Sequence, residues 1–417
     1  MPPSLSDWLP PGHLAYFVSD LVDQLDLSGI ESVYEEEERG QPPYHPLMMT
    51  KVLVYAYCVG VYSSRRIERR LVEDIAFRVL AAGNEPDFRT LSDFRKIHLR
   101  ALRGLFEQVL RIAVAAKLVK VGRVALDGSK VKANASKHKA MSYGRMKEKE
   151  EQLREEVKKL LAQAEAVDEE EDARYGKERR GDELPEELVR RETRIARIRE
   201  AKRVVEERAR EEAKAKGQGA EGVKPEAKAQ YNFSDPESRI MKGPGGFVQA
   251  YNAQMAVDGK TQIIVGQAVT QEVNDKQQVR PMVQAIEAQA GKKTEQLLAD
   301  NGYCSEGNVK YVEQRNIDAY LAAGRQKHGE LGPTGCPRGP LTKGARRVDQ
   351  MRRKLQTKVG AAVYAARKGI VEPVFGQIKQ GRGFRQFLLR GLKKVQGEWA
   401  LVCLTHNILK LHRLAYG

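Results

Sequence analysis

The sequence lacks the residue patterns of several common classes of protein. Its four cysteines are widely spaced along 417 residues, without a CxxC pair or a nearby pair of histidines, which argues against a zinc site and a disulfide framework. No apolar run is long enough to cross a membrane, and the first residues lack the pattern of a signal peptide. Phosphate-binding loops and dinucleotide fingerprints are missing too, which argues against nucleotide-driven chemistry. We therefore expect a soluble protein of the cytoplasm with reduced cysteines and no membrane partner.

Positive charge is what the chain has in excess. Its 72 Lys and Arg residues against 56 Asp and Glu residues give a formal net charge of +16. An excess of this size suits a partner with a phosphate backbone, because each phosphate that is neutralised releases counterions. The alternative is a generally basic protein without such a partner.

Three acidic residues stand in apolar surroundings. The run 124–126 stops at Asp127 and the run 297–299 stops at Asp300, as buried strands do when they deliver a carboxylate at an exposed end. Glu372 lies within the apolar segment 370–375. In a basic chain, this set predicts a divalent-metal site that acts on phosphodiesters. A structural role is the alternative for Asp127, because Asp-Gly is a frequent turn pair.

Three other aspartates fall in the same part of the chain. Asp258 is followed by glycine between two apolar runs, which predicts a two-residue hairpin turn. Asp275 and Asp318 have no such context. We interpret all three as turn or surface groups.

The N-terminal part, residues 1–118, is predicted to be a helical DNA-binding domain. Ser63 opens a helix that carries Arg65 and Arg66, and Ser92 is predicted to cap a longer helix. Short helices with clustered arginines favour a reader of DNA that resembles a helix-turn-helix. The alternative is an ordinary helical bundle whose arginines are solvated.

Residues 119–417 predict a catalytic domain that is interrupted by residues 137–236. The interruption is densely charged but nearly neutral, with apolar residues at coiled-coil spacing, and predicts an antiparallel helical hairpin. We interpret it as a solvated spacer or a dimer arm rather than a catalytic element. After this interruption, strand and helix patterns alternate from residue 246 to residue 322. The predicted fold class is therefore α/β, a mixed sheet flanked by helices.

Four motifs resemble those of bacterial insertion-sequence transposases of the DDE type: LDGSKVKANASK, GFVQAYNAQMAVD, LLADNGYCSEGN and ARKGIVEPVFGQIKQGRGFRQFLLRG. The resemblance implies a ribonuclease H-like catalytic domain with Asp127, Asp300 and Glu372 as the triad. It also implies that the triad binds two Mg²⁺ or Mn²⁺ ions, one for the attacking group and one for the leaving oxygen.

The same resemblance implies an activity and its partners. Such an enzyme binds the inverted repeats at the ends of its element, cleaves the DNA and joins it to target DNA. Its partners would be double-stranded DNA and, in the active complex, a second copy of the chain, in the bacterial cytoplasm at the nucleoid. Two alternatives stay open: a DNA-binding, repressor-like protein or decayed transposase without chemistry, and a ribonuclease H-like nuclease that cuts without joining.

Part of this family carries a Tyr-Arg-Glu-Lys signature, which is imperfect here. Lys379 follows Glu372 by the expected seven residues, but Tyr364 and Arg367 are each one residue farther from Glu372 than in the signature. In a continuous helix, Lys368 would take the face of the signature arginine and Arg367 would point away. Pro373 complicates this expectation because proline disfavours helix at the preceding residue.

Further bases are candidate DNA contacts. The segment 325–358 has ten bases against two acids, and we expect it to track a DNA backbone, with a solvated loop as the alternative. Trp399 could stack on a displaced base, but a core position is the preferred interpretation. The predicted DNA-binding residues are Lys379, Lys130, Arg367, Lys368, Arg65, Arg66, Arg346 and Arg347.

Overall fold

The computed structural model describes residues 4–34, 43–175, 186–215, 217–219, 222–243, 246–324 and 344–416. The chain divides into two compact units. The first, here called the sheet unit, comprises Met1–Asn134 and Ile240–Gly417, and the second, the hairpin unit, comprises Ala135–Arg239.

The described elements begin with a stretch that is all helical, up to residue 115, and every strand among them comes after it. The helices are α1 (Leu14–Asp23), α2 (Ser28–Glu31), α3 (Pro46–Cys58), α4 (Ser64–Glu73), α5 (Ile75–Leu80), α6 (Phe88–Ile97), α7 (Leu99–Ala115), α8 (Tyr143–Tyr175), α9 (Glu186–Ala215), α10 (Val279–Ala290), α11 (Glu306–Gln314), α12 (Arg347–Gln356), α13 (Lys358–Gly376) and α14 (Leu392–Tyr416). The strands are β1 (Arg123–Lys132), β2 (Ala140–Ser142), β3 (Gln230–Asn232), β4 (Arg239–Gly243), β5 (Gly246–Asp258), β6 (Ile264–Thr270), β7 (Gln296–Ala299) and β8 (Asp318–Leu321).

The helical N-terminal part is confirmed, but one of its predicted caps is wrong. Ser63 does occupy the N-cap of α4, without a capping bond from its side chain. Ser92 lies inside α6, whose N-cap is Asp87. The Asp87 carboxylate accepts a hydrogen bond from Thr90 N at 2.7 Å and so satisfies a free amide of the first turn. The assignment of DNA binding to residues 1–118 stays a prediction.

A mixed sheet forms the centre of the sheet unit, as predicted. Its strand order is β4-β5-β1-β7-β8, with β6 also paired to β5. β5 runs antiparallel to both β1 and β6, whereas β7 is parallel to β1 and β8 is parallel to β7. The hairpin turn after β5 is longer than the predicted two residues, because Asp258 N donates to Ile263 O across it. Asp258 has the predicted turn role, accepting from Lys260 N and Thr261 N at 3.0 Å.

Strand β1 extends beyond the acidic residue at which it was expected to end. It continues to Lys132, which pairs with Ala250 of β5, so that Asp127 lies in mid-strand. Its other neighbour, β7, ends at Ala299. Asp127 therefore stands where β1 loses its parallel partner and keeps only the antiparallel one.

Helix α14 ties the N-terminal helices to the sheet. Trp399 on this helix is fully buried, and its Nε1 donates a hydrogen bond to Gln254 O of β5 at 3.1 Å. The core position preferred for Trp399 is confirmed. On the N-terminal side, Cys58 Sγ of α3 lies 3.9 Å from Thr405 O, and both groups are buried.

The hairpin unit is built on two antiparallel helices, as the charge and heptad pattern predicted. α8 and α9 enclose a small apolar core that includes Leu153, Ile195 and Ile198. Glu150 is also buried there, and it pairs with Arg154, Arg199 and Lys202. Burial opposes its ionisation, but the hydrogen bonds from Lys202 and Arg199 outweigh burial and lower the pKa of Glu150 to about 2. The connection between the two helices of the predicted hairpin, residues 176–185, lies outside the described residues.

Candidate functional site

Asp127 lies on β1, and Asp300 directly follows the end of β7, the parallel neighbour of β1. The register of β1 and β7 pairs Ala125 with Leu298, and each aspartate lies two residues farther along. Asp300 Oδ1 accepts a hydrogen bond from Gly302 N at 2.9 Å, and Asp127 Oδ1 accepts one from Gly128 N at 2.8 Å. The sheet thus brings together two carboxylates that are distant in the sequence.

The surroundings of these two aspartates disfavour negative charge. Burial raises the pKa of Asp127 to about 6, an effect that Arg367 opposes and Asp300 increases. Burial also raises the pKa of Asp300, with repulsion from Asp275 adding to the effect and Arg367 reducing it. Placing a positive charge among these acids would therefore stabilise their ionised forms.

Arg367 of α13 supplies positive charge between two of the predicted triad members. Its Nη1 donates a hydrogen bond to Asp127 Oδ2 at 3.2 Å, and its Nη2 lies 3.7 Å from Glu372 Oε1. Arg367 is 8% exposed, whereas the Glu372 side chain is 54% exposed. One guanidinium group thus links the carboxylate on β1 to the carboxylate on α13.

The expectation that Lys368 would face these acids and that Arg367 would point away is wrong. Helix α13 continues through Pro373 to Gly376, and Lys368 is exposed on it. The side chain of Arg367 contacts Asp127 instead, and this ion pair compensates for the burial of the guanidinium group. Tyr364, one turn earlier, also interacts with Arg367, and burial raises the pKa of Tyr364.

Asp275 lies in a turn, since Gln278 N donates to its carbonyl oxygen at 2.9 Å, but its side chain belongs to the same cluster and is not a surface group. Its Oδ1 accepts hydrogen bonds from Asn252 Nδ2 and Gln254 Nε2, each at 2.7 Å. A Cβ atom added to Gly302 would lie 3.3 Å from Asp275 Oδ2 and 3.0 Å from Asp300 Oδ1. Asp275 therefore stands beside Asp300, with only 19% of its side chain exposed.

The sequence does contain a signal for this position. Asn252 and Gln254 are polar residues among apolar neighbours in strand β5, and both are fully buried. Buried amides need hydrogen-bond partners, so their presence indicates a polar site on this face of the sheet.

Two of the predicted DNA-binding lysines lie beside the acids. Lys130 Nζ is 3.5 Å from Asp275 Oδ1, and its side chain is 18% exposed. Lys379 hydrogen-bonds to Ser129 Oγ and lies over the ring of Phe375, with its Nζ 5.6 Å from the ring centroid. Burial lowers the pKa of both lysines, and nearby acids oppose this effect.

The other predicted DNA-binding residues lie on other surfaces. Arg65 and Arg66 are exposed on α4, and the Arg65 guanidinium stacks over the ring of Phe88. Arg346 and Arg347, at the start of α12, pair with Asp349 and Glu313 respectively. Residues 325–343 of the predicted basic segment lie outside the described residues.

The donor chemistry of the cluster fits a divalent cation. Mg²⁺ and Mn²⁺ prefer hard oxygen ligands, and Asp127, Asp300, Asp275 and Glu372 offer carboxylates. Because burial disfavours the charge of Asp127 and Asp300, a bound cation would also stabilise these two carboxylates electrostatically. In the described ranges, no three His, Cys, Asp or Glu side chains are already arranged around a single point as metal ligands. Arg367 holds Asp127 instead.

Comparison with known families gives two matches along the chain. A family described as a transposase domain (DUF772) matches residues 3–97, and a transposase DDE domain matches residues 214–408. The chain belongs to the insertion-sequence DDE transposases. The two matches together cover more than two thirds of its length, and no curated protein or solved structure matches it significantly.

Membership of this family settles the coarse features of the molecule. The DDE domain implies a ribonuclease H-like fold, which confirms the predicted fold class, and it implies DNA partners and the use of divalent metal in general. Asp300 and Glu372 lie inside the DDE match, whereas Asp127 lies between the two matches, on the strand that precedes the hairpin unit. Among the described residues, no helix has the length and apolar character needed to cross a membrane.

Proposed function

We propose that this DDE transposase binds the ends of its element, cleaves the DNA there and joins the freed 3′-hydroxyl to target DNA. The proposal rests on one observation above all: Arg367 pairs with both Asp127 and Glu372, and the charge of Asp300, directly after β7, also acts on it. Asp127, Asp300 and Glu372 are the acids that would hold two Mg²⁺ or Mn²⁺ ions. When bound, the ions would activate the attacking oxygen and stabilise the leaving oxygen.

The basic residues of the cluster have a complementary role in this proposal. Lys130 and Lys379 offer positive charge next to the carboxylates, where a scissile phosphodiester would lie. Arg367 orients Asp127 through their hydrogen bond. Arg65 and Arg66, within residues 1–118, are proposed contacts to the DNA ends, and Arg346, Arg347 and Lys368 are proposed contacts to the backbone.

Replacing one triad carboxylate tests the chemistry separately from binding. Asp127→Asn keeps the side-chain shape but loses the charge that a divalent ion needs. We expect cleavage and strand transfer to be abolished, with affinity for end DNA changed less than about threefold, because phosphate contacts dominate binding. Asp318→Asn, in the same unit but outside the cluster, is the matched control. Metal-dependent cleavage by the Asp127→Asn protein would contradict the proposal.

A second experiment distinguishes a transposase from a nuclease. A transposase joins a pre-cut end with a free 3′-hydroxyl to a target duplex, whereas a nuclease gives no joined product. We expect joined product with Mg²⁺ or Mn²⁺. A repressor-like protein would bind the ends equally well with and without divalent ions and would give neither cleaved nor joined DNA. The active complex is proposed to contain two copies of the chain, because two ends must be held together.

A further inference from the structure

The hairpin unit carries a groove whose charge differs from that of the unit as a whole. The groove has a volume of about 660 Å³ and lies between α8, α9 and the segment around β2. Five of its lining side chains are basic and one, Glu148, is acidic. The basic ones are Lys139, Arg145, Lys149, Arg194 and Arg197. Positive charge is therefore concentrated here, although acids and bases nearly balance along these helices.

The basic residues form one row on each helix. Arg145 and Lys149 are four residues apart on α8, and Arg194 and Arg197 are three residues apart on α9. Residues at these spacings share a helix face, so each row borders the groove.

These bases differ from others on the same helices in lacking acidic partners. Arg203 pairs with Glu200 and Glu207, and Lys158 pairs with Glu155. Among the described residues, Arg145, Arg194 and Arg197 form no ion pair with any acid. Unpaired bases on both sides of a groove create a positive field that is available to a polyanion.

Apolar and aromatic groups complete the groove. Phe233 is 37% exposed there, and its ring packs edge-on against Tyr231 with ring centroids 5.2 Å apart. Ile198 also lines the groove, and it contributes to the apolar core of the unit.

We propose that this groove binds the phosphate backbone of DNA, which makes the hairpin unit a second DNA-binding surface rather than a spacer. DNA is the partner that the family provides, and two opposed rows of unpaired bases match its line of phosphates. The inference goes beyond the proposed function, because it concerns neither the acidic cluster nor the N-terminal helices.

A charge-matched pair of variants tests the proposal in the full-length protein. The test variant is Arg194→Gln with Arg197→Gln, and the control is Lys158→Gln with Arg203→Gln. Both variants lose two positive charges from exposed helix positions of the same unit, so the net charge of the protein falls by the same amount in each. Affinity for a fluorescent duplex DNA of arbitrary sequence is measured in chelator as a function of salt concentration, after circular dichroism has verified the helical content.

The expected result is specific to the groove. The test variant should bind roughly tenfold or more weakly at about 0.1 M salt, and the slope of log affinity against log salt should fall by about 1 to 2 units, because each lost phosphate contact removes about 0.9. The control should change affinity less than threefold. Equal losses in both variants, no loss in the test variant, or a change only in self-association would overturn the proposal. Because no metal is present, this outcome is independent of the proposed chemistry.

Discussion

Asp275 is held in the cluster by two buried amides that depend on it. Each amide nitrogen has two hydrogens: Asn252 Nδ2 donates the other to Glu272 O, and Gln254 Nε2 donates the other to Asn252 Oδ1. Asp275→Ala would leave one buried N–H of each residue without an acceptor. We expect a loss of about 1 to 3 kcal/mol in the free energy of unfolding, measured by urea denaturation.

The matched control for this variant is Asp318→Ala. The Asp318 side chain is 46% exposed and pairs with Lys354 at the surface. Exposed ion pairs contribute at most about 1 kcal/mol, so this change should be nearly neutral. If both alanine variants were equally stable, the buried network around Asp275 would have no energetic role.

Glu398 predicts a dependence of stability on pH. Burial raises its pKa to about 6, although Arg95 and hydrogen bonds from Leu389 N and Leu388 N oppose the rise. The pKa in the folded state exceeds the ordinary value of 4.5, so Glu398 binds its proton more tightly in the folded protein than in the unfolded chain. This proton binding stabilises the fold fully below pH 4.5, and the stabilisation is lost as pH rises through 6. This loss is about 2 kcal/mol, since one pKa unit corresponds to about 1.4 kcal/mol.

Glu398→Gln removes the titrating group and keeps an acceptor for the two amides. We expect the difference in the free energy of unfolding between the wild type and this variant to move by about 2 kcal/mol in favour of the variant between pH 4.5 and pH 7. Urea denaturation at several pH values measures it. A difference that stays constant over this range would show that the Glu398 pKa is not raised.

Arg367 illustrates why the sequence alone misplaced a residue of the site. Helical geometry correctly puts Arg367 and Glu372 at different angles around α13. The position of Asp127 next to this helix depends on the tertiary structure and cannot be read from helical spacing. The Asp127 carboxylate attracts the Arg367 guanidinium group although Arg367 and Glu372 point in different directions from the helix axis. The motif residues themselves were found, because Asp127, Asp300 and Glu372 each stand in a distinctive apolar context. Their roles as catalytic residues stay a prediction.

At the scale of elements, contact between α14 and α7 depends on a glycine. A Cβ atom added to Gly397 would lie 2.4 Å from Leu99 Cγ, which is closer than atoms can approach. Gly397→Ala should therefore destabilise the protein by about 1 to 3 kcal/mol through overpacking, although alanine favours helix. Gly104 on α7 is the control, because nothing lies within 4 Å of its added Cβ.

The two glycines should respond in opposite directions. Gly104→Ala is expected to raise the free energy of unfolding by up to about 1 kcal/mol, since alanine restricts the unfolded chain and suits a helix. Thermal denaturation of both variants measures the contrast. Stabilisation by Gly397→Ala would mean that α14 and α7 are not in close contact.

Elements with strong periodic patterns were predicted well, and short polar ones were missed. β5, β6 and α10 have apolar residues at strand or helix spacing, and all three lie within residues 246–322, where strands and helices were predicted. β2, β3 and β4 have three to five residues each, too few for an alternating pattern to be recognisable. The start of α6 was misplaced because Asp87 and Ser92 are both good capping residues, and only their surroundings decide between them.

At the scale of the whole molecule, a strongly basic chain encloses a local cluster of acids. The net charge of +16 attracts DNA without any metal, whereas Asp127 and Asp300 repel a phosphodiester until a cation lies among them. Removal of divalent ions should therefore stop the reaction without preventing DNA binding. We expect a chelator to abolish cleavage and strand transfer, while affinity for end DNA changes less than about threefold and falls steeply with salt.

The separation can be measured on one sample. The protein and a labelled end duplex are mixed in chelator, binding is followed by fluorescence anisotropy, and Mg²⁺ is then added in excess to start the reaction. The Asp127→Asn protein serves as the control, since it should bind in the first step and give no product in the second. Loss of DNA binding in chelator would contradict the expectation. It would show that DNA binds only after a divalent ion has neutralised the acids. Binding that is indifferent to salt would contradict the role assigned to the excess of positive charge.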